Sequence, residues 1–420
     1  MYFCLSTSLM SSEKTLSPLA ADKNTVGTVH HHYRFFRSIE AAGRDWDLAA
    51  PADDVFLQRP YLSVIEKTPP KGMRFGYLVF YKNEQPFGVA LCQIKYFKAD
   101  ENIQEQGAQA STKDSCFFNS LGSWFKRQIS GWVAADILIC GNLLLTGEHG
   151  FYFQEGQLSP VETSRLLENA LTEVVKNMNQ VGVKIPVILI KDVAPQHEVL
   201  GSQLESVGFT EFCVQPNMVM DLPFSSFDEY LEAMSTKYRT RAKRAFKKLA
   251  GVEKRELSLS DVQQHLPRMY ELYRDIARNA GFNMVDLNEH YLYALKRDFG
   301  HAFRVFGYYQ GETLLAFYTT IQNGKELEAH FLGYDKALNH DLQLYLNMLY
   351  DMIQLGIAAG CHQLVFARTA LEIKSSVGAV AHDLHCYLRH QNSLANRLAE
   401  PLIDYLNPVE VWQARHPYKD

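Results

Sequence analysis

The tightest constraint on this chain is an Asn323-Gly324 pair with an alternating strand on each side. TLLAFYTTI (Thr313 to Ile321) precedes it and ELEAHFLGY (Glu326 to Tyr334) follows, both rich in aromatic and β-branched residues. A type I′ turn needs positive φ at both central positions, which Asn and Gly supply with little strain. Two strands so joined lie antiparallel. FRVFGYY (Phe303 to Tyr309) adds a third through a turn at Gln310-Gly311,. Period-two alternation in the last strand puts Glu326, Glu328, His330 and Leu332 on one face and Leu327, Ala329, Phe331 and Gly333 on the other. Residues two apart have Cα atoms roughly 7 Å apart, so Glu328 and His330 are candidates for one shared proton path. A merely solvated polar face is the alternative reading.

Beyond this strand a polar loop leads to Asp341, the expected N-cap of a helix carrying Leu342, Tyr345, Leu346, Leu349, Met352, Ile353 and Gly356 at helical spacing,. That helix opens where the strand ends, and its free backbone N–H groups and dipole suit an anion such as a pyrophosphate. A short strand, Gln363 to Phe366, follows. Thr369 to Glu372 has the spacing of a capping box and predicts another helix,.

The earlier half offers the same series. FGYLVFY (Phe75 to Tyr81) and FGVALCQIKYF (Phe87 to Phe97) form a hairpin, the polar Gln-rich stretch from Lys98 to about Thr112 is an insertion, and Asp136 to Gly141 is a third strand. Ser159-Pro160-Val161-Glu162 starts a helix, PVILI (Pro186 to Ile190) is a buried strand, a helix lies around His197 to Ser206, and Glu211 to Leu222 reads as one further strand,. The matching order implies an internal duplication, an α/β architecture of mixed α+β sheets. Its units span 33–222 and 226–392, between a flexible lead-in at 1–28 and a tail at 393–420.

With 420 residues, 47% of them apolar and 21% charged, the chain is long enough for two such units,. Apolar runs fall well short of the roughly 20 residues that cross a bilayer, so no transmembrane segment is expected. The start lacks the features of a secretory signal, which points to a cytoplasmic location. Seven scattered cysteines without a CxxC pair read as reduced core residues, and His30 to His32 as a solvated run, so no metal is expected,. A net charge of −5 argues against general nucleic-acid binding,. Locally, however, the linking helix at 235–250 holds seven Lys or Arg and no acid, with Ala242, Ala245, Phe246 and Leu249 on its apolar face,. A solvated face, a dock for phosphates or RNA through Lys237, Arg241, Arg244 and Lys248, and a membrane-surface patch are all compatible with it.

A basic helix of the form Ser-x-Lys-x-Arg-x-x-x-Lys-Arg, two helices, an antiparallel hairpin, a third strand and a helix opening from its end resemble the GNAT superfamily, and more narrowly its duplicated FemAB-like branch with BioF2-like and peptidoglycan-recognition-type members. The resemblance covers roughly Tyr33 to Asn392. It implies two tandem acyl-CoA N-acyltransferase units moving an acyl group to an amine, whether a small molecule or a peptidoglycan precursor. It implies acyl-CoA as donor, held over Tyr334 to Gln343, including Tyr334, Asp335, Lys336, Leu342 and Gln343. Lys374 and Gly378 occupy positions matching a Lys and Gly of the last helix of FemAB-like chains, and Arg368 precedes the capping box at Thr369. Such chemistry needs a base, Glu328 or His330, and a donor to the departing thiolate, for which Tyr387 in HCYLRH (His385 to His390) is the candidate. The Gly-rich pyrophosphate pattern of the family is absent from Tyr334 to Gln343. An inactive binding module and an aminoacyl-tRNA-dependent transferase are therefore the alternatives.

Overall fold

A computed structural model of the chain describes residues 31–98, 134–278, 285–397 and 412–419, with 400 and 403. The lead-in at 1–28, almost all of the Gln-rich insertion and much of the tail fall outside them. The first half runs β1 (His31–Phe36), α1 (Ile39–Ala49), α2 (Arg59–Lys67), β2 (Met73–Lys82), β3 (Gln85–Lys98), β4 (Ala134–Cys140), β5 (Phe151–Phe153), α3 (Pro160–Gln180), β6 (Val187–Val193), α4 (Glu198–Ser206) and β7 (Thr210–Cys213). The rest runs β8 (Asn217–Asp221), α5 (Phe227–Ala233), α6 (Thr236–Lys248), β9 (Glu253–Glu256), α7 (Leu259–Ala277), α8 (Tyr291–Phe299), β10 (Phe303–Gln310), β11 (Thr313–Asn323), β12 (Glu326–Tyr334), α9 (Lys336–Leu342), α10 (Leu344–Ala358), β13 (Gln363–Ala367), α11 (Leu371–Ser375), β14 (Val380–His382), β15 (His385–His390) and α12 (Ser393–Asn396).

Two mixed sheets result, ordered β1-β2-β3-β4-β6-β15-β7 and β14-β8-β13-β12-β11-β10-β9. They repeat one plan. In each, an antiparallel hairpin and third strand (β2-β3-β4, β10-β11-β12) are followed by a parallel neighbour, β6 or β13. The duplication is therefore real, but its units interleave. β8 pairs with β13 of the second sheet, and β15 pairs with β6 of the first. The division at 222–226 thus cuts across the exchange, and Glu211 to Leu222 is two strands in two sheets. Pro216 lies between them and lacks the N–H that a continuous ladder needs,.

Several helix starts also differ from the sequence reading. Ser159 makes both capping-box bonds as expected, and Ser258 with Asp261 makes the same pair at the start of α7. The helix expected to start after Asp341 begins instead at Lys336 under an Asp335 cap, and it breaks at Gln343, which has φ 53°. Thr369 and Ala370 have φ 70° and 50°, so no capping box forms there. In the turn after β11 the central pair is Gly324-Lys325, with positive φ at Gly324 alone, as in a type II′ turn,. Asn323 stays in the strand because its Oδ1 accepts the Val55 N–H, 2.8 Å away, from the first unit.

The inward faces of both sheets pack on α1, α2, α7 and α8, and one core runs from Trp46 and Tyr61 to Met269, Tyr291 and Phe317. α6 and α10 cover the outer face of the second sheet, and α3 and α4 that of the first. Gly333 shows how close the inner contact is. A Cβ there would lie 2.6 Å from the backbone of Leu272 and Tyr273 in α7. Backbone gives way less readily than a side-chain tip, so Gly333→Ala is expected to cost about 1–3 kcal/mol. Urea unfolding measures this, and an unchanged midpoint would show that α7 is free to slide.

Candidate active site between the two units

The face of β12 that looks toward the first unit carries Glu326, Glu328 and His330, while Leu327 and Ala329 join the outer core under α10. The predicted alternation holds to His330 and then breaks. Tyr318 pairs with Leu332 and Thr320 with Ala329, so His330 and Phe331 together oppose Thr319. This bulge is pinned by the Thr319 hydroxyl, 2.9 Å from both the N–H and the carbonyl of Phe331. Extra residues of this kind re-aim side chains. Phe331 accordingly joins His330 at the inner core, and Leu332 turns outward.

Glu328 is only 5% exposed, and among the described residues nothing is placed to hydrogen-bond its carboxyl. Burial, helped by Glu326 and Asp54 and opposed by His149, pushes its pKa up to about 8,. His330 lies 2.7 Å from the Tyr291 hydroxyl through Nε2, and burial lowers its pKa to about 3. Near neutral pH, then, the imidazole is uncharged and acts through its hydrogen bond, while the carboxyl stands close to its titration point. Of the two expected bases, Glu328 titrates close to neutral pH and His330 does not.

The first unit supplies partners that the sequence did not single out. His149 Nδ1 lies 2.9 Å from Asp54 Oδ2; burial works against the imidazolium, but this carboxylate outweighs it and raises the pKa. A polar chain also crosses between the units. Gln93 donates to Asn142 Oδ1 at 3.3 Å, Asn142 donates to the Tyr61 hydroxyl at 3.4 Å, and that hydroxyl is 3.5 Å from Tyr291. Gly150 approaches Gly141 so closely that a Cβ would lie 2.8 Å from its Cα.

On one side of β12, pairing to β13 ends at Glu328 and Val365. β12 then runs on alone to Tyr334, and the strands part directly beyond the buried carboxyl. The residues expected to hold a donor border this parting. Tyr334 packs against Tyr345. Asp335 caps α9 and also faces Arg268 at 3.5 Å, so its own charge already occupies that helix end. Lys336 is bound to the Asp275 carbonyl, Leu342 packs in the outer core, and Gln343 donates to the His340 carbonyl at 2.9 Å. The N-terminus of α10 is taken as well, because Asn339 Oδ1 accepts the Tyr345 N–H at 2.9 Å.

Across the parting, Arg368 meets Asp192 and donates to the Gln215 carbonyl at 2.8 Å. Lys374 is buried with no carboxylate partner among the described residues, its pKa lowered to about 7 by burial, and donates to the carbonyls of Ala367 (3.0 Å) and Arg368 (2.5 Å). It holds the left-handed turn after β13. At Gly378, with φ 114°, a Cβ would strike the Tyr418 ring. Basic helix α6 bridges both sides, Lys248 donating to the His340 carbonyl at 3.1 Å and Arg241 to Ser376 Oγ at 2.9 Å. Among the described residues none of its seven cations forms an ion pair.

Tyr387 is not part of this constellation. Strand exchange places it in the first sheet, where its hydroxyl donates to Glu211 Oε2 at 3.1 Å and packs on Gly201. The cysteines divide also, with Cys92, Cys140, Cys361 and Cys386 buried but Cys213 exposed. His31 and His32 belong to β1, and His32 stacks on Tyr81. No helix among the described residues is long and apolar enough to cross a membrane.

Residues 236–375, from the basic helix to the end of α11, match the acetyltransferase (GNAT) domain family. No curated protein matches the chain. Among solved structures, FemX is similar with a TM-score of 0.48 at 12% identity, over 80% of this chain and 97% of its own. A tandem GNAT protein from the clavulanic acid biosynthesis pathway, solved without AcCoA, has a TM-score of 0.48 at 9% identity, over 86% and 99%. The L-PGS of Bacillus licheniformis has a TM-score of 0.43 at 11% identity, over 82% and 95%. The family match thus covers the second unit, about a third of the chain, and the first unit repeats the sheet plan of the second.

Proposed function

We propose that the chain transfers an acyl group from acyl-CoA to an amine, a small molecule or a peptidoglycan precursor, in the FemAB-like manner. Glu328 carries this reading: a buried carboxyl with no hydrogen-bond partner among the described residues, at the last rung before β12 and β13 part. The amine nitrogen attacks the thioester carbon, the C–N bond forms, and the C–S bond breaks. The proton lost by nitrogen passes to the Glu328 carboxylate, and the thiolate leaves with a proton from water. His330 and Tyr291 fix the strand beside it, and the Asp54–His149 pair sets the charge it faces. The cations of α6, none of them ion-paired among the described residues, would meet the donor phosphates in place of the missing Gly-rich loop.

Thermal-shift titration with coenzyme A, acetyl-CoA and long-chain acyl-CoAs is the first test. A true donor at 100 times its dissociation constant adds about 2.7 kcal/mol to stability. Thiol release in the presence of amine acceptors is the second. No shift and no thiol release with any of them would leave the binding-module reading in its place. The unpaired cations also favour an aminoacyl-tRNA donor as second reading, which predicts tRNA binding that weakens steeply with salt.

A further inference from the structure

Away from this site, at the edge of the first sheet, three side chains of different ligating chemistry converge. Glu211 and Cys213 lie on β7 and His385 on β15, and one ligand atom from each falls within 4.8 Å of the others. Register explains the convergence. His385 is paired directly with Cys213 and Tyr387 with Glu211. Residues two apart share a face, so all four project from the same side of two hydrogen-bonded strands. The backbone spacing is fixed before any ligand arrives.

His385 Nδ1 lies 3.6 Å from Cys213 Sγ and 2.5 Å from Glu211 Oε1. The first separation is close to the roughly 3.5 Å edge of a tetrahedron around an ion with Zn–S of about 2.3 Å and Zn–N of about 2.0 Å. The second is a hydrogen-bond contact, and it lengthens by less than about 1 Å when an ion replaces the shared proton. Glu211 Oε2 accepts the Tyr387 hydroxyl at 3.1 Å, which orients the carboxylate from behind as an outer-shell group does,. The surroundings are acidic as well. Glu211 and Asp383 both bear on the Cys213 thiol, after burial, to keep it protonated. A divalent cation reverses that balance and takes the thiolate.

We propose that Glu211, Cys213 and His385 form a binding site for a divalent transition metal of the zinc class, with a fourth position open to water. One thiolate, one imidazole and one carboxylate form a borderline-soft set that suits zinc or cobalt rather than calcium or magnesium. β7 is an edge strand and Cys213 is exposed, so solvent reaches the remaining position. Binding releases the thiol proton, together with any proton on the imidazole, and the affinity therefore rises with pH. β15 is the strand that the later half lends to the first sheet, and the ion would clasp its outer side to β7.

The full-length protein, with Cys4 and Cys116 changed to Ser and metal stripped by chelation, is titrated with Co²⁺. The expected result is a thiolate-to-cobalt charge-transfer band in the near ultraviolet with a visible band of tetrahedral intensity, both displaced by Zn²⁺. Cys213→Ser removes the charge-transfer band, and His385→Ala weakens binding by at least tenfold. Tyr387→Phe keeps the spectrum but weakens binding by about tenfold or more, as loss of an outer-shell partner does. Absence of the band in the parent protein, or an unchanged band and affinity in Cys213→Ser, overturns the site. If His385→Ala fails to fold by circular dichroism, Glu211→Gln is titrated in its stead, with the same tenfold weakening required.

Discussion

Replacing Glu328 by Gln is expected to lower the rate of acyl transfer by two to three orders of magnitude while leaving the protein folded, because a positioned base contributes about 10²–10⁴-fold. The same change should stabilise the fold at alkaline pH. The folded pKa of Glu328, about 8, lies above the ordinary 4.5, so the fold favours the acid form. That contribution is complete below about pH 4.5 and is lost as pH rises through 8. Above pH 8 the variant should therefore exceed the parent protein by roughly 3–5 kcal/mol, with the difference shrinking toward pH 5. Thiol-release kinetics and urea unfolding at pH 5, 7 and 9 measure the two effects. A rate within threefold of the parent would remove Glu328 from the chemistry, and a pH-independent stability difference would show that its carboxyl is not held apart from water.

The second large effect is expected at Asp192, where the two units are joined by charge. Its carboxyl is fully buried between Lys191 and Arg368, and it accepts the Gly147 N–H at 3.0 Å. Burial alone would raise its pKa, but the two cations outweigh burial and hold it below the usual carboxylate range. Asp192→Ala leaves both cations in the interior without their counter-charge. Breaking a buried pair from one side typically costs about 3–5 kcal/mol, far more than the pair is worth against an apolar substitute. Acid should act in the same direction. A carboxyl with a depressed folded pKa supports the fold above its ordinary value, and that support is lost as pH falls below about 4. Urea midpoints at pH 7 decide the matter, and a loss under 1 kcal/mol would show that water reaches the cluster.

The fold was legible in the sequence wherever a feature is local. The aromatic and β-branched hairpins, the Ser159 capping box and the apolar stripe of α10 each depend on neighbours within a few residues, and each stands where the pattern put it. The shared face of Glu328 and His330 was readable for the same reason, because alternation along a strand needs no partner. It ended at Phe331, where a bulge set by Thr319 on the adjoining strand took over. The start of the helix after β12 slipped because capping depended on a residue just outside the obvious motif, Asp335 in place of Asp341.

By itself, then, the sequence determined two copies of one mixed-sheet plan, their hairpins, and an acidic and imidazole pair on one strand. Tertiary structure alone decided that β8 and β15 change sheets, which carried Tyr387 away from Glu328 and brought Arg368 to Asp192. It also decided that Asp54 and His149 of the first unit stand near Glu328 of the second. The physical reason is common to all of these. A strand's edge hydrogen bonds are satisfied equally well by any extended partner, and a buried charge by any counter-charge within reach, so packing of the inner core chose among partners that the local pattern leaves equivalent.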